Sequence, residues 1–167
     1  MEHDMQVRFF VPGVPQPGGS KKGWVNKFTG RVNVSDANPK AKEWKAVVAQ
    51  VASEHFTEPI SGPLRVKFEF FFLRPQGHYG SGKNQHILKP SAPLYPVVRP
   101  DALKCARSTE DAMTKIAWLD DSQIVTEELT KRYGAQSGAL ITIESEIEHV
   151  EGSENTGLHP VPVPRQG

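Results

Sequence analysis

The chain is poor in cysteine and in long apolar runs. Cys105 is the one cysteine among 167 residues, which excludes an internal disulfide framework and a multi-cysteine zinc site and fits a reducing compartment. No apolar run approaches the ~20 residues needed to span a bilayer. The opening MEHDMQ carries acids and no apolar core, so a secretory signal is not expected. The expectation is a cytoplasmic protein with no membrane partner. The length supports one ordinary domain with its own core and leaves little room for two.

Acids are missing from two stretches. Residues 5–35 hold five cations (Arg8, Lys21, Lys22, Lys27, Arg31) and no Asp or Glu, and residues 74–99 hold four (Arg74, Lys83, Lys89, Arg99), again with no acid. Together they carry +9, yet the formal net charge is +1, because Glu144, Glu146, Glu148, Glu151 and Glu154 lie near the C-terminus. A chain so segregated can present a basic face while near neutral overall. Either stretch alone reads as a solvated loop; the two together favour a polyanionic partner.

Gly 14 and Pro 14 make 28 of 167 residues, against about 12% in average usage. They cluster at 12–23, 59–63, 75–100 and 152–167, and cut the chain into periodic blocks. Residues 5–11 predict a strand, and Trp24–Phe28 with Arg31–Val34 a small hairpin around Thr29-Gly30. Asn38-Pro39 predicts a helix start, with Trp44, Val47, Val48 and Val51 as the inward stripe down to about His55. Leu64, Val66, Phe68 and Phe70 alternate with Arg65, Lys67 and Glu69, the pattern of a central strand over 64–73. The Pro- and Gly-rich stretch 75–100 is a long loop, a length usually kept for function or disorder. A second helix is predicted from Asp101 to about Ile116. Residues 122–133 and 138–147 are expected to pair as a hairpin turning at Gly134–Gly138. The expected architecture is α+β: a two-layer single domain over 1–149, with a mixed sheet and two main helices on one face. Residues 150–167 read as a Pro-rich, disordered tail.

The segment Arg99–Val125 carries the chemistry. Asp101 follows Pro100 at a helix start, Lys104, Arg107, Ser108, Asp111 and Lys115 share a helical face, and Asp120-Asp121 lies between that helix and the next strand. Carboxylates beside cations suit Mg²⁺-dependent phosphodiester hydrolysis, the hard oxygens holding the ion and the cations the phosphate. The same residues also read as an N-cap, a turn and an i,i+4 helix pair. About 15 helical residues span roughly 22 Å, so Asp101 and Asp121 meet only across a short or kinked helix or between two subunits. Trp24 and Phe28, set among Lys22 and Lys27, read either as stacking groups for unpaired bases or as hairpin packing. His78 and His86 read as solvated loop histidines and Cys105 as a buried, idle thiol.

In this segment Arg99, Pro100, Asp101, Lys104, Arg107, Asp111, Ala112, Thr114, Lys115, Asp120, Asp121, Gln123 and Val125 fall in register on a pattern of the form [KR]-P-D-x-D-[NK]-L-x-[KR]-x-x-x-D-A-L-T-[GK], followed by D-D-x-Q-[VI]-V. By these residues the chain resembles the RusA-type Holliday junction resolvases, the crossover-junction endodeoxyribonucleases. The loop Arg74–Pro93 looks like that of a phage and actinobacterial branch, and VPGVPQPGGSKKG resembles the family's opening. The likeness covers most of residues 7–146.

The resemblance implies a homodimeric, Mg²⁺-dependent endonuclease that nicks four-way DNA junctions in recombination and repair, in a bacterial or phage-infected cell. It assigns Asp101 and Asp121 to the metal and Arg107 to a position of functional lysine. Asp120 and Asp111 match further acidic positions. Lys21, Lys22, Lys27, Arg31, Lys83, Lys89, Arg99, Lys104 and Lys115 are the expected DNA contacts. One departure stands out. Leu103 occupies the place of the second aspartate of P-D-x-D, and Glu110, seven residues on, lies about 10 Å along the helix from it. A junction-binding protein impaired in cleavage is therefore the alternative, and a hydrolase of small phosphoesters a third reading, disfavoured by the two long basic stretches.

Overall fold

The computed structural model describes residues 5–18, 21–36 and 38–146; the expected tail at 150–167 lies outside them. Strands β1 (Gln6–Pro12), β2 (Lys21–Val25) and β3 (Val32–Asp36) are followed by helix α1 (Pro39–His55), strand β4 (Leu64–Leu73), helix α2 (Ala102–Met113), and strands β5 (Ile124–Gly134) and β6 (Gly138–Ser145). Four strands form one sheet in the order β1-β6-β4-β5, while β2 and β3 pair by themselves. This is the expected α+β domain.

The alternation in β4 does what it predicts. Leu64, Val66, Phe68 and Phe70 are fully buried, with Phe9, Val11, Ile141 and Ile143 of β1 and β6 on the same face. Helix α1 covers this face with Ala41, Trp44, Val48 and Ala52, so the buried stripe is rotated slightly from the valine-rich one expected; Val47 and Val51 sit at its edge. Asn38 caps α1 by accepting from the Lys40 N–H at 3.2 Å. The two helices are tied by Trp44, whose Nε1–H donates to Thr109 Oγ1 at 3.2 Å inside the core, and by the Lys45–Asp111 ion pair at 3.0 Å. Arg65 and Lys67 stand on the opposite, uncovered face, paired with Glu146 and Glu128.

The predicted β5–β6 hairpin does not form. Strand β4 lies between them, parallel to β5 and antiparallel to β6. The physical reason is burial. Strand β6 contributes Ala139, Ile141 and Ile143 to the core, whereas β5 exposes Glu127, Glu128 and Arg132 and suits an edge, where charge also blocks further pairing. Residues 135–137 step across the end of β4, two strand spacings of about 4.8 Å each. Because β4 and β5 run parallel, the chain must cross over between them, and α2 is that crossover.

The close crossing explains Gly138. A Cβ there would meet Phe10 Cζ at 2.3 Å and the Val11 carbonyl oxygen at 2.4 Å. The second contact is with backbone of the paired strand, which cannot rotate away. Gly138→Ala is therefore expected to destabilise the protein by ~2–3 kcal/mol, the cost of overpacking a tight core, read as a lower urea midpoint with unchanged m-value.

Candidate functional site

The N-terminal end of α2 is held from three sides. Lys131 of β5 donates its Nζ to the Val98 and Pro100 carbonyls at 2.6 and 2.8 Å, fixing the approach to the helix. The Gly18 N–H donates to the Lys104 carbonyl at 2.8 Å. A Cβ at Gly18 would lie 2.9 Å from Ser108 Cβ, so glycine is what lets this segment close on α2. Asn38 joins the same corner through its Nδ2–H, which donates to Gln16 Oε1 at 3.0 Å. Around this corner lies a cavity of about 320 Å³ lined by Pro17, Gly18, Asn38, Arg99, Pro100, Asp101 and Lys104.

Asp101 is the N-cap by backbone position, but its carboxylate makes no cap hydrogen bond. It stays 62% exposed and faces Lys104 Nζ at 3.7 Å, a pair too open to contribute much stability. Arg99 and Arg107 are exposed nearby in sequence, and Leu103 is 66% exposed on the first turn of α2. Arg99, Asp101 and Lys104 thus share one cavity.

Asp120 and Asp121 lie at the other end of the helix. Helix α2 stops at Met113, earlier than predicted, because Thr114 leaves the helical region and Lys115 takes a positive φ of 72°. Asp121 Oδ1 accepts from Thr114 Oγ1 at 2.5 Å and from Trp118 Nε1 at 2.8 Å, which anchors it to a fully buried tryptophan. Asp120 accepts from the Ser122 N–H at 2.9 Å, and hydrogen bonding from the Ser122 side chain, with that backbone bond second, holds its carboxyl below the ordinary range. Gln123 closes the knot by accepting from the N–H groups of Leu119 and Asp120 and donating to the Ile60 and Gly62 carbonyls. Lys115 Nζ donates to the Leu119 carbonyl at 2.5 Å.

The twelve residues of α2 separate Asp101 from Thr114, roughly 20 Å from one to the other. One chain therefore does not bring Asp101 and Asp121 to a shared ion, and among the described residues no group of three or more His, Cys, Asp and Glu is placed to hold a metal. Mg²⁺ does not fit these two aspartates within a single chain. Glu110 does not substitute at the Asp101 end either. It hydrogen-bonds Glu127 of β5, and Asp121 and Asp111 add their charge. Burial and this neighbour push the Glu110 carboxyl up to about 8, so Glu110 keeps its proton at neutral pH.

The other expected DNA contacts divide by location. Lys27 and Arg31 are exposed at the tip of the β2–β3 hairpin, and Lys83 is exposed on the long loop. The backbone of Lys21 and Lys22 lies in β2; their side chains fall outside the described set. Lys89 Nζ donates to the Gly77 carbonyl at 2.8 Å, and Arg74 lies over the Tyr133 ring at 4.2 Å while donating to the Pro93 carbonyl. His78 meets the same ring edge-on at 5.5 Å. The long loop is thus a folded lobe, with Tyr79 bridged to Leu88. Glu127 and Lys131 escaped the sequence reading: both sit in the polar edge strand, where pattern gives no sign of what faces them.

A family model described as Endodeoxyribonuclease RusA matches residues 12–144. The chain is also similar to the Uncharacterized protein YqaN of Bacillus subtilis (strain 168), 29% identical over 138 residues that cover 82% of this chain and 94% of the relative.

The Glu110–Glu127 pair has a definite pH signature. The folded value of about 8 lies above the ordinary 4.5, so the native state keeps a proton that the unfolded chain loses. Stability from this group is complete below the lower value and is lost as pH rises through the upper one. Thermal melts followed by circular dichroism should show Tm falling between about pH 5 and about pH 9, and Glu110→Gln should flatten that fall. An equally steep fall in the variant would exclude a proton held on Glu110.

Proposed function

The chain belongs to the RusA endodeoxyribonuclease family, and from that premise we propose that it acts as a homodimer on four-way DNA junctions, nicking them with Mg²⁺ in recombination and repair. The observation that carries the two-chain reading is the placing of Asp101 at one end of α2 and Asp121, bonded to Thr114, at the other. Carboxylates roughly 20 Å apart in one chain serve one ion only when Asp101 comes from one copy and Asp121 from its partner. Hard oxygen ligands of this kind suit Mg²⁺.

The chain's own residues supply binding. Arg99 and Lys104 line the cavity beside Asp101, Arg107 follows on the next turn, and Lys27, Arg31 and Lys83 are exposed farther out. Phosphate contacts from these cations hold the arms of the junction and give no sequence information by themselves. Asp120, locked as a cap, supports the position of Asp121.

A second reading rests on Leu103. An exposed leucine beside Asp101 neither binds an ion nor orients water, which favours a junction binder impaired in cleavage.

Mixing decides between one-chain and two-chain sites. Asp101→Asn and Asp121→Asn are each expected to abolish nicking of a synthetic junction in Mg²⁺ while sparing binding. A co-refolded mixture should recover nicking, because one of the two sites in the mixed dimer then holds both native aspartates. No recovery overturns the two-chain site. Should the native chain bind without nicking, Leu103→Asp is expected to gain activity. Binding should weaken steeply with salt, and Arg99→Gln or Lys104→Gln should each lower the slope of log K against log salt by about 1.

A further inference from the structure

Seven of the eight phenylalanines are buried or half-buried; Phe28 is 100% exposed. A large apolar ring fully in water gains nothing for the fold, yet the turn that presents it is well built. The Asn26 N–H donates to the Arg31 carbonyl at 2.9 Å, and the Gly30 N–H donates to the Asn26 carbonyl at 2.8 Å. Asn26 Oδ1 also accepts from the N–H groups of Phe28 and Thr29 at 2.9 and 3.2 Å. Gly30 supplies the positive φ of 65° that closes the loop. Lys27 immediately precedes Phe28 and Arg31 follows three residues on, both exposed, and no acid occurs anywhere in residues 5–35.

The arm also starts in the right place. Gly18 before it and Asn38 after it both line the cavity that holds Arg99, Asp101 and Lys104. Strands β2 and β3 then carry the tip away from that rim, a reach of roughly 20 Å at about 3.3 Å per residue. Trp24, on the hairpin face opposite to Val25, Val32 and Val34, is a second exposed aromatic along the arm.

From these observations we propose that the 26–31 tip is a base-stacking element, with Phe28 seated on a base pair laid open at the branch point of the junction and Lys27 and Arg31 on the adjoining phosphates. An aromatic face between cations is what an unstacked base recognises, and it reads no sequence because every base has a π-face. Continuous duplex hides those faces, so the contact selects for interrupted stacking. The inference rests on the junction-binding reading and adds to it the group that senses the branch.

The test uses the full chain and a four-way junction carrying 2-aminopurine either at the branch or within one arm. With the native protein, emission from the branch probe is expected to rise and that from the arm probe to stay constant. Phe28→Ala should abolish the rise and weaken junction binding about tenfold while leaving binding to plain duplex unchanged; Phe28→Trp should keep the affinity. Because the side chain is fully exposed, the alanine variant retains the circular dichroism spectrum and melt of the native chain. If Phe28→Ala binds the junction and raises branch emission as the native chain does, the stacking inference fails and the junction reading stands. If it instead changes the oligomeric state in light scattering, the tip is a contact between copies and the stacking inference fails. A native chain that binds no junction at low salt overturns both readings.

Discussion

Leu64, Val66, Phe68 and Phe70 are fully buried on one face of β4, and two of the three ladders of the sheet are built on that strand, β5 parallel on one side and β6 antiparallel on the other. The parallel pairing has a consequence for the chemistry. A crossover between parallel neighbours must return the chain from the end of one strand to the start of the next, so α2 runs the length of the sheet. Asp101 enters at the end where β4 finishes, and Asp121 leaves at the end where β5 begins. Their separation follows from the topology and not from any local choice of rotamer.

That separation sorts the acidic residues into different kinds of work. Asp120 and Asp121 are engaged in the knot around Trp118 and Gln123, Asp111 ties the two helices through Lys45, and Glu110 is held in its protonated form by burial beside Glu127. Asp101 keeps an exposed carboxylate beside a cavity of basic and backbone groups. A site assembled between copies would join the solvent-facing aspartate of one end to the tightly oriented aspartate of the other. Orientation through surrounding hydrogen bonds is what a precise ligand geometry requires.

The cations divide in a similar way. The +9 of the two acid-free stretches overstates what faces a polyanion, because Arg74 and Lys89 donate to backbone carbonyls of the long loop. Lys115 and Lys131, outside those stretches, do likewise at the two ends of α2. Lys27 and Arg31 remain exposed at the hairpin tip, Lys83 on the outer loop, and Arg99, Lys104 and Arg107 around the start of α2.

Much of this was legible in the chain of residues. The strict alternation of 64–73, the Asn38-Pro39 start of α1 and the ordered set from Arg99 to Val125 each report a local requirement: one buried strand face, a helix terminus, a run of chemistry on one crossover. The helix end at Met113 and the partners of β5 and β6 were not legible in the same way. Strand neighbours depend on which segment best covers the core, and a three-residue link permits a step across β4 as readily as a hairpin. Nor does spacing along the chain reveal that Lys131 grips the carbonyls before Asp101 or that Glu127 meets Glu110, since both pairings exist only once β5 lies alongside α2. The sequence by itself determined the family and the element types. Tertiary structure alone decided what grips that helix, because Lys131 and Glu127 reach it only once β5 lies parallel to β4.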